Sequence, residues 1–107
     1  MKAASETSLV KSILAYLAVR KIFCWRNNSG AIKQNYGGKT RLIRFGAIGS
    51  PDIIGVLPGG RFLGIECKVG VNKLTHMQKC FLRDIADNGG LAIVARSIRD
   101  VEEGLGG

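Results

Sequence analysis

Two short apolar runs, separated by a Pro-Gly-Gly tripeptide, most constrain how this chain of 107 residues folds. The first run covers residues 53–57 and the second covers residues 62–65. The intervening Pro58–Gly60 is a turn sequence, because proline presets one backbone angle and glycine tolerates the others. The pattern therefore predicts a β-hairpin, and a hairpin brings the residues at its two open ends together.

Charged residues occupy both open ends of this predicted hairpin. Asp52 precedes the first strand, and Glu66 and Lys68 lie two apart in the second, which puts them on one strand face. With a two-residue loop Asp52 opposes Cys67 and faces away from them, whereas a three-residue loop sets Asp52 opposite Glu66. We therefore predict an odd-numbered loop, or a bulge that restores the parity. Two carboxylates and one amine on a shared face suit a hard divalent cation, Mg²⁺ or Mn²⁺.

The distribution of charge supports a polyanionic partner. The chain has a net charge of +8, which favours binding to nucleic acid or to an anionic membrane surface. Residues 7–51 contain eight Lys and Arg and no acidic residue, so Glu6, Asp52 and Glu66 are isolated carboxylates in a positive field. The length predicts a single domain spanning residues 1–107.

Several classes of protein are disfavoured by what the sequence lacks. No apolar run approaches the ~18–20 residues of a membrane span, and the N-terminus does not resemble a signal peptide. Three cysteines without a CxxC pair, together with one histidine, predict a reducing, cytoplasmic setting and no structural zinc site. No glycine-rich nucleotide loop is present, so we expect no organic cofactor.

The remaining periodicity predicts an α/β fold. The predicted elements are a helix capped by Ser5 and running to about Arg20, a strand at 21–26, the hairpin, a helix opened by Thr75 with Gln78 in a capping box, a strand at 91–95 and a short helix after Ser97. This order favours a small mixed β-sheet flanked by helices. The last two strands are joined through a helix, so we expect them to be parallel.

Residues 31–50 look the least regular, with a flexible tip at Gly37-Gly38 and at most a short strand within 40–45. Loops of this composition bind phosphates and unpaired bases, and the alternative is a solvated surface loop. The candidate binding residues here are Lys33, Tyr36, Lys39, Arg41 and Arg44. Trp25 is expected in the core, with base stacking as the alternative.

Pro51-Asp52, followed after thirteen residues by Glu66-Cys67-Lys68, matches the PD-(D/E)XK nuclease motif. More narrowly, the chain resembles the virus-type replication-repair nuclease (VRR-NUC) domains over nearly its whole length. The resemblance rests on Glu6, GSPDIIG, the hairpin, IECK, the 73–78 segment and the 89–96 run. It implies a restriction-endonuclease-like αβββαβ core. The family's Val-Arg-Arg signature is replaced here by Val94-Ala95-Arg96, which leaves the role of Arg96 open.

The resemblance also implies an activity, namely a Mg²⁺- or Mn²⁺-dependent endonuclease that acts as a homodimer on branched DNA. Asp52, Glu66 and the Cys67 carbonyl would bind the metal, while Lys68 would position the attacking water or stabilise charge on the phosphate. Glu6 would reach the metal through water, and Gln78 would orient the nucleophile or Lys68. Lys73, in the 73–78 segment, joins the candidate DNA contacts.

Alternatives remain for the individual residues and for the whole chain. Glu6 could serve only as a first-turn acid and Gln78 only as a capping residue, and the capping role would then exclude the catalytic one. For the whole chain, the alternatives are a non-catalytic nucleic-acid-binding module of the same fold and an RNA-directed nuclease.

Overall fold

The computed structural model describes residues 5–28 and 30–106, and within them three helices and six strands. In chain order these are α1 Glu6–Val19, β1 Phe23–Arg26, β2 Gly30–Tyr36, β3 Lys39–Phe45, β4 Ile53–Leu57, β5 Arg61–Cys67, α2 His76–Asp87, β6 Leu91–Ala95 and α3 Ile98–Gly104. The fold is α/β, as the sequence predicts.

The main sheet has four strands in the order β1-β4-β5-β6. Strands β1, β4 and β5 are antiparallel neighbours, and β6 runs parallel to β5 after the crossover through α2. Apart from an insertion between β1 and β4, the order is α, β, β, β, α, β, so the predicted core and its parallel pair are confirmed.

The core lies between α1 and one face of this sheet. Val10, Ile13 and Leu17 form the buried stripe of α1. They pack against buried residues of the strands and of α3, namely Ile53, Leu63, Ile65, Cys67, Ile93, Ala95 and Val101. Burying each Leu or Ile contributes about 1.5–3 kcal/mol relative to leaving it exposed. The Gly64 Cα points to the opposite face, where Ile85 of α2 packs closely against it.

The β4–β5 hairpin has the register on which the predicted metal site depends. Leu57 pairs with Arg61 and Ile53 pairs with Ile65, so the connecting loop is the three residues 58–60. The Gly60 N–H closes the loop on the Leu57 carbonyl at 3.0 Å. The predicted odd-numbered loop is therefore confirmed, and the register continued by one residue sets Asp52 opposite Glu66.

The prediction of an irregular loop at residues 31–50 is wrong. Strands β2 and β3 form an antiparallel hairpin, with Tyr36 paired to Lys39 across the two-residue turn Gly37-Gly38. Both glycines have positive φ, 54° and 78°, as a type I′ turn requires. A Gly-Gly pair between two strand-like runs is a known hairpin signal that the basic composition obscured.

This second hairpin, residues 30–45, is called the arm from here on. Among the described residues, its two strands contact chiefly each other rather than the main sheet or the helices. The molecule extends 54 Å along its longest axis, and the arm's polar and apolar side chains are largely exposed on both faces. The arm is a projection from the domain rather than part of its core.

The expectation that Trp25 belongs to the core is also wrong, since the residue is 45% exposed. The strand begins at Phe23 rather than Lys21, because Lys21 takes a left-handed conformation with φ 57°. Trp25 lies on the face of the sheet opposite to α1. On that face α2 packs on β5 and β6, and within residues 5–28 and 30–106 no helix packs on the β1–β4 half.

Two glycines of nearly equal φ provide a test of this packing. Gly49 (φ +82°) precedes the Asp52 segment, and an added Cβ there would lie 2.8 Å from the Met77 backbone in the first turn of α2. Gly59 (φ +87°), in the β4–β5 loop, has open space around it. We expect Gly49→Ala to lower the free energy of unfolding by about 1–3 kcal/mol more than Gly59→Ala, because it adds overpacking to the shared backbone strain. Urea unfolding measures both, and equal losses would contradict the close approach of Gly49 to α2.

Candidate metal centre

Three carboxylates meet at one end of the main sheet. Glu6 is the first residue of α1, Asp52 immediately precedes β4, and Glu66 lies near the end of β5. One carboxylate oxygen from each lies within 4.8 Å of the other two. The sequence-predicted pair Asp52 and Glu66 is therefore brought together, and Glu6 joins them from the N-terminal helix.

Backbone pairing explains why Asp52 and Glu66 approach so closely. The Asp52 carbonyl accepts the Asn27 N–H at 2.7 Å, so the Asp52 backbone is directed toward β1 and away from β5. Asp52 and Glu66 thus face each other as a non-hydrogen-bonded pair, the kind in which side chains come closest. The Asp52 Oδ2 then accepts the Cys67 N–H at 2.8 Å, which fixes the carboxylate beside β5.

Asn27 has a supporting role that sequence reasoning missed. Its side-chain Nδ2 donates to the Ser50 Oγ at 2.7 Å and to the Pro51 carbonyl at 2.9 Å. Together with its backbone bond to Asp52, the residue fastens the whole 50–52 segment to the end of β1. An amide directly after a strand was the one signal in the sequence, but its partners lie more than twenty residues away and no local pattern reveals them.

The Gln78 side chain caps α2 and also contacts the carboxylate cluster, so the expectation that capping would keep it away from the cluster is wrong. Its Oε1 accepts the Thr75 N–H at 2.9 Å, which completes the capping box of α2. Its Nε2 donates to the Glu66 Oε2 at 3.4 Å. One side-chain amide has both an acceptor and two donors, so it starts the helix and contacts the carboxylate cluster at once.

Lys68 supplies the positive charge of the site. Its Nζ lies 4.0 Å from the Glu66 Oε2, and the residue is only 8% exposed. A buried ammonium group is retained at such a position only beside compensating negative charge. The predicted placement of Lys68 on the same face as Glu66 is consistent with this distance.

The pKa of Glu66 reflects first its burial and then its carboxylate neighbours. Burial is the largest cause that raises the pKa of Glu66 from 4.5 to about 8, and the hydrogen bond and charge of Asp52 and the charge of Glu6 act in the same direction. Lys68 acts in the opposite direction. Three hard oxygen donors so close together match what Mg²⁺ or Mn²⁺ takes from proteins, and a bound divalent cation would offset their repulsion.

The Cys67 side chain belongs to the core, as predicted. Its side chain is fully buried in the core cluster, and burial raises the pKa of the thiol to about 12. Its N–H points to Asp52. The N–H and C=O of one strand residue share an edge, so the Cys67 carbonyl is also directed toward the Asp52 side, as its predicted role as a ligand requires.

The candidate nucleic-acid contacts lie outside this cluster. Five of them are on the arm and are exposed: Lys33, Tyr36, Lys39, Arg41 and Arg44. Lys73 is exposed in the loop between β5 and α2. Arg96 donates to the Gly70 and Asn72 carbonyls at 3.0 and 2.7 Å, so it holds the loop that carries Lys73.

No family model matches the chain, and no curated protein matches it. Among the described residues, no helix has the length and apolar character needed to cross a membrane.

The raised pKa of Glu66 predicts how stability depends on pH in the absence of metal. The folded chain keeps a proton on Glu66 that the unfolded chain releases above about pH 4.5. The free energy of unfolding should therefore fall as pH rises from about 4.5 to about 8 and then level off. Urea unfolding in a chelator measures this, and Glu66→Gln should flatten that part of the profile.

Glu102→Gln is the matched control, because Glu102 is an exposed residue of α3 far along the chain from the cluster. Its pH profile should follow that of the wild type. A wild-type stability that does not change between pH 5 and 8 would contradict the protonated state of Glu66.

Proposed function

We propose that this protein is a Mg²⁺- or Mn²⁺-dependent endonuclease that hydrolyses DNA phosphodiester bonds and selects branched DNA, such as four-way junctions. The observation that carries the proposal is the convergence of Glu6, Asp52, Glu66 and Lys68 at one end of a sheet in a strongly basic domain. The same residues carry the resemblance to VRR-NUC domains of the PD-(D/E)XK superfamily. These residues come from the start of α1, the residue before β4 and the end of β5, and Glu66 and Lys68 are buried there.

The three carboxylates have the first task, which is to hold the metal. Asp52 and Glu66 would each present a carboxylate oxygen, while the Cys67 N–H holds the Asp52 carboxylate in place. Glu6 reaches the same point directly or through water, and the Cys67 carbonyl lies on that edge. When bound, the ion polarises the scissile phosphate and promotes deprotonation of the attacking water.

Lys68 and Gln78 complete the catalytic arrangement. Buried beside Glu66, the Lys68 ammonium is a preorganised cation for the negative charge that develops on the phosphate as water adds and a P–O bond breaks. Gln78 keeps Glu66 oriented through its 3.4 Å contact. Because the Gln78 amide is also part of the α2 cap, its position is fixed before any substrate binds.

The arm and the net charge support DNA as the partner. The arm has four cationic residues and no acid. It begins three residues after Asn27 and ends before the 50–52 segment, and Asn27 bonds to Pro51 and Asp52 in that segment. A two-stranded ribbon of this kind fits the major groove of a duplex. Cations along it would bind the phosphates and fix the register of the duplex on the site.

A homodimer is part of the proposal. A subunit of 11.5 kDa covers little of a duplex, and two copies related by a two-fold axis would cut two strands symmetrically. In such an assembly the arm of each copy would contact one duplex branch of a four-way junction.

Cleavage of labelled four-way-junction, flap, duplex and single-stranded DNA tests the nuclease directly. We expect the wild type to cut the junction with Mg²⁺ or Mn²⁺ and not with a chelator. Asp52→Asn should bind the same DNA while cutting at least about 100-fold more slowly, because it keeps the shape of the side chain but removes a charged ligand.

Asp84→Asn is the matched control, since Asp84 is an exposed acid on α2 outside the carboxylate cluster. It should cut at the wild-type rate. Binding of all four DNAs with no cutting under either metal would favour the non-catalytic binding module, and cutting of RNA alone would favour the RNA-directed nuclease.

Removal of the arm should separate binding from stability. Gly30 and Phe45 are cross-strand partners, so replacing residues 31–44 with an Asn-Gly turn rejoins the chain without displacing β1 or β4. We expect an unchanged melting temperature and weaker DNA binding. The slope of log affinity against log salt should fall by up to about 0.9 for each phosphate that the shortened protein no longer neutralises.

A full-length control keeps the arm but replaces its four cations with Gln, at positions Lys33, Lys39, Arg41 and Arg44. It should match the shortened variant in salt dependence. Wild-type affinity in both variants would exclude the arm from DNA binding.

A further inference from the structure

An exposed aromatic platform lies on the same sheet face as the carboxylate cluster. Phe23 and Trp25 in β1 are 68% and 45% exposed, and their ring centroids are 5.4 Å apart with the rings tilted by 53°. Cross-strand pairing sets Phe23 beside Val56 and Trp25 beside Ile54, and Val56 in turn pairs with the exposed Phe62. These side chains share one face because residues two apart on a strand do so.

The platform directly adjoins the candidate metal centre. Ile54 is two residues from Asp52 on the same strand face, and Trp25 is the cross-strand partner of Ile54. Trp25 and Asp52 are therefore diagonal neighbours, a relation in which residues lie about 7–8 Å apart. A single nucleotide spans that interval, so a base resting on Trp25 belongs to a nucleotide next to the phosphate at the metal.

The charge around the platform favours a nucleic acid over a protein as its occupant. β1 lies in the segment between Thr7 and Pro51, which contains eight Lys and Arg and no acidic residue. Two copies of such a surface would repel each other, whereas a nucleotide supplies both a π-face for the rings and a negative charge for the cations. Stacking on aromatic side chains needs a base that is free of its duplex neighbours.

We propose that Phe23 and Trp25 stack an unpaired base beside the scissile phosphate, so that the site selects DNA with unpaired nucleotides at the cut over continuous duplex. The inference rests on the proposed function, because it names which nucleotide of the nuclease's substrate the platform takes. A continuous duplex keeps its bases stacked on each other and leaves the platform uncovered. At a branch point a base is released and the platform receives it.

Trp25 is the only tryptophan in the chain, so its fluorescence reports on the platform without a label. The full chain in a chelator is titrated with oligothymidylate, with a blunt hairpin duplex and with the same duplex carrying a short unpaired tail. We expect the single strand and the tailed duplex to quench the emission and the blunt duplex to leave it nearly unchanged, although anisotropy of an end-labelled probe records binding of all three.

Phe23→Ala keeps the reporter and removes half of the platform. It should weaken binding of oligothymidylate about 10-fold, within the range that one stacked base contributes. Val19→Ala is the matched control, since Val19 is an exposed apolar residue on α1, which packs on the opposite face of the sheet. Its affinity should equal that of the wild type, and equal melting temperatures show that both variants fold.

Saturating single-strand binding without a change in Trp25 emission overturns the inference. Emission that depends on protein concentration without DNA, together with a mass of twice 11.5 kDa that Phe23→Ala halves, overturns it in favour of an interface between copies. The two proposals can fail independently. If DNA quenches Trp25 emission but the chain cuts nothing with Mg²⁺ or Mn²⁺, the stacking platform stands and the nuclease proposal falls. If the chain cuts DNA with metal but Trp25 emission does not change, the nuclease stands and the platform falls.

Discussion

The hydrogen bond from the Cys67 N–H to the Asp52 Oδ2 is the interaction on which the site depends. At this point the β4–β5 ladder ends, because the Asp52 backbone has turned to β1 and the Pro51 carbonyl is taken by Asn27. A side-chain carboxylate then replaces the missing backbone acceptor. The last hydrogen bond between the two strands is therefore made by the Asp52 carboxylate, the same group that would bind the proposed metal. One interaction both ends the strand pair and orients this carboxylate.

Several polar groups of the site combine two tasks in this way. The Gln78 amide caps α2 and contacts Glu66, and Glu6 occupies the first turn of α1, where a negative charge also suits the helix dipole. Each group stabilises the end of an element and projects toward the centre of the cluster. Burial is the largest cause that raises the pKa of Glu66, and the crowding of carboxylates adds to it, so a cation bound there would offset the repulsion.

Sequence alone was sufficient where a short-range rule applied. The parity of the 58–60 loop fixed Asp52 opposite Glu66, and Thr75 with Gln78 located the start of α2 through a capping box three residues long. Prediction failed for Trp25, whose exposure depends on how far α2 extends across the sheet. It failed again for the arm, because the basic composition favoured a loop although Gly37-Gly38 is a hairpin turn signal.

The partners of Asn27 and the second contact of Gln78 were also beyond reach from sequence. Both depend on residues that are distant along the chain and meet only after the sheet has formed. The Asn27 side chain contacts residues 23 and 24 positions away, and no propensity or periodicity encodes such a pairing. Asp52, Glu66 and Lys68 were found because a hairpin brings the charged residues at its two open ends together, and the family resemblance implied roles for Glu6 and Gln78.

The arm leaves and re-enters the domain at neighbouring points, with Gly30 opposite Phe45. Changes in the length or side chains of residues 31–44 would therefore not move Asp52 and Glu66. In evolutionary terms this is a position where a whole hairpin can be inserted, trimmed or replaced while the carboxylate cluster keeps its geometry. Under the proposed function, a scaffold of about one hundred residues would in this way serve many nucleic-acid shapes with one chemistry.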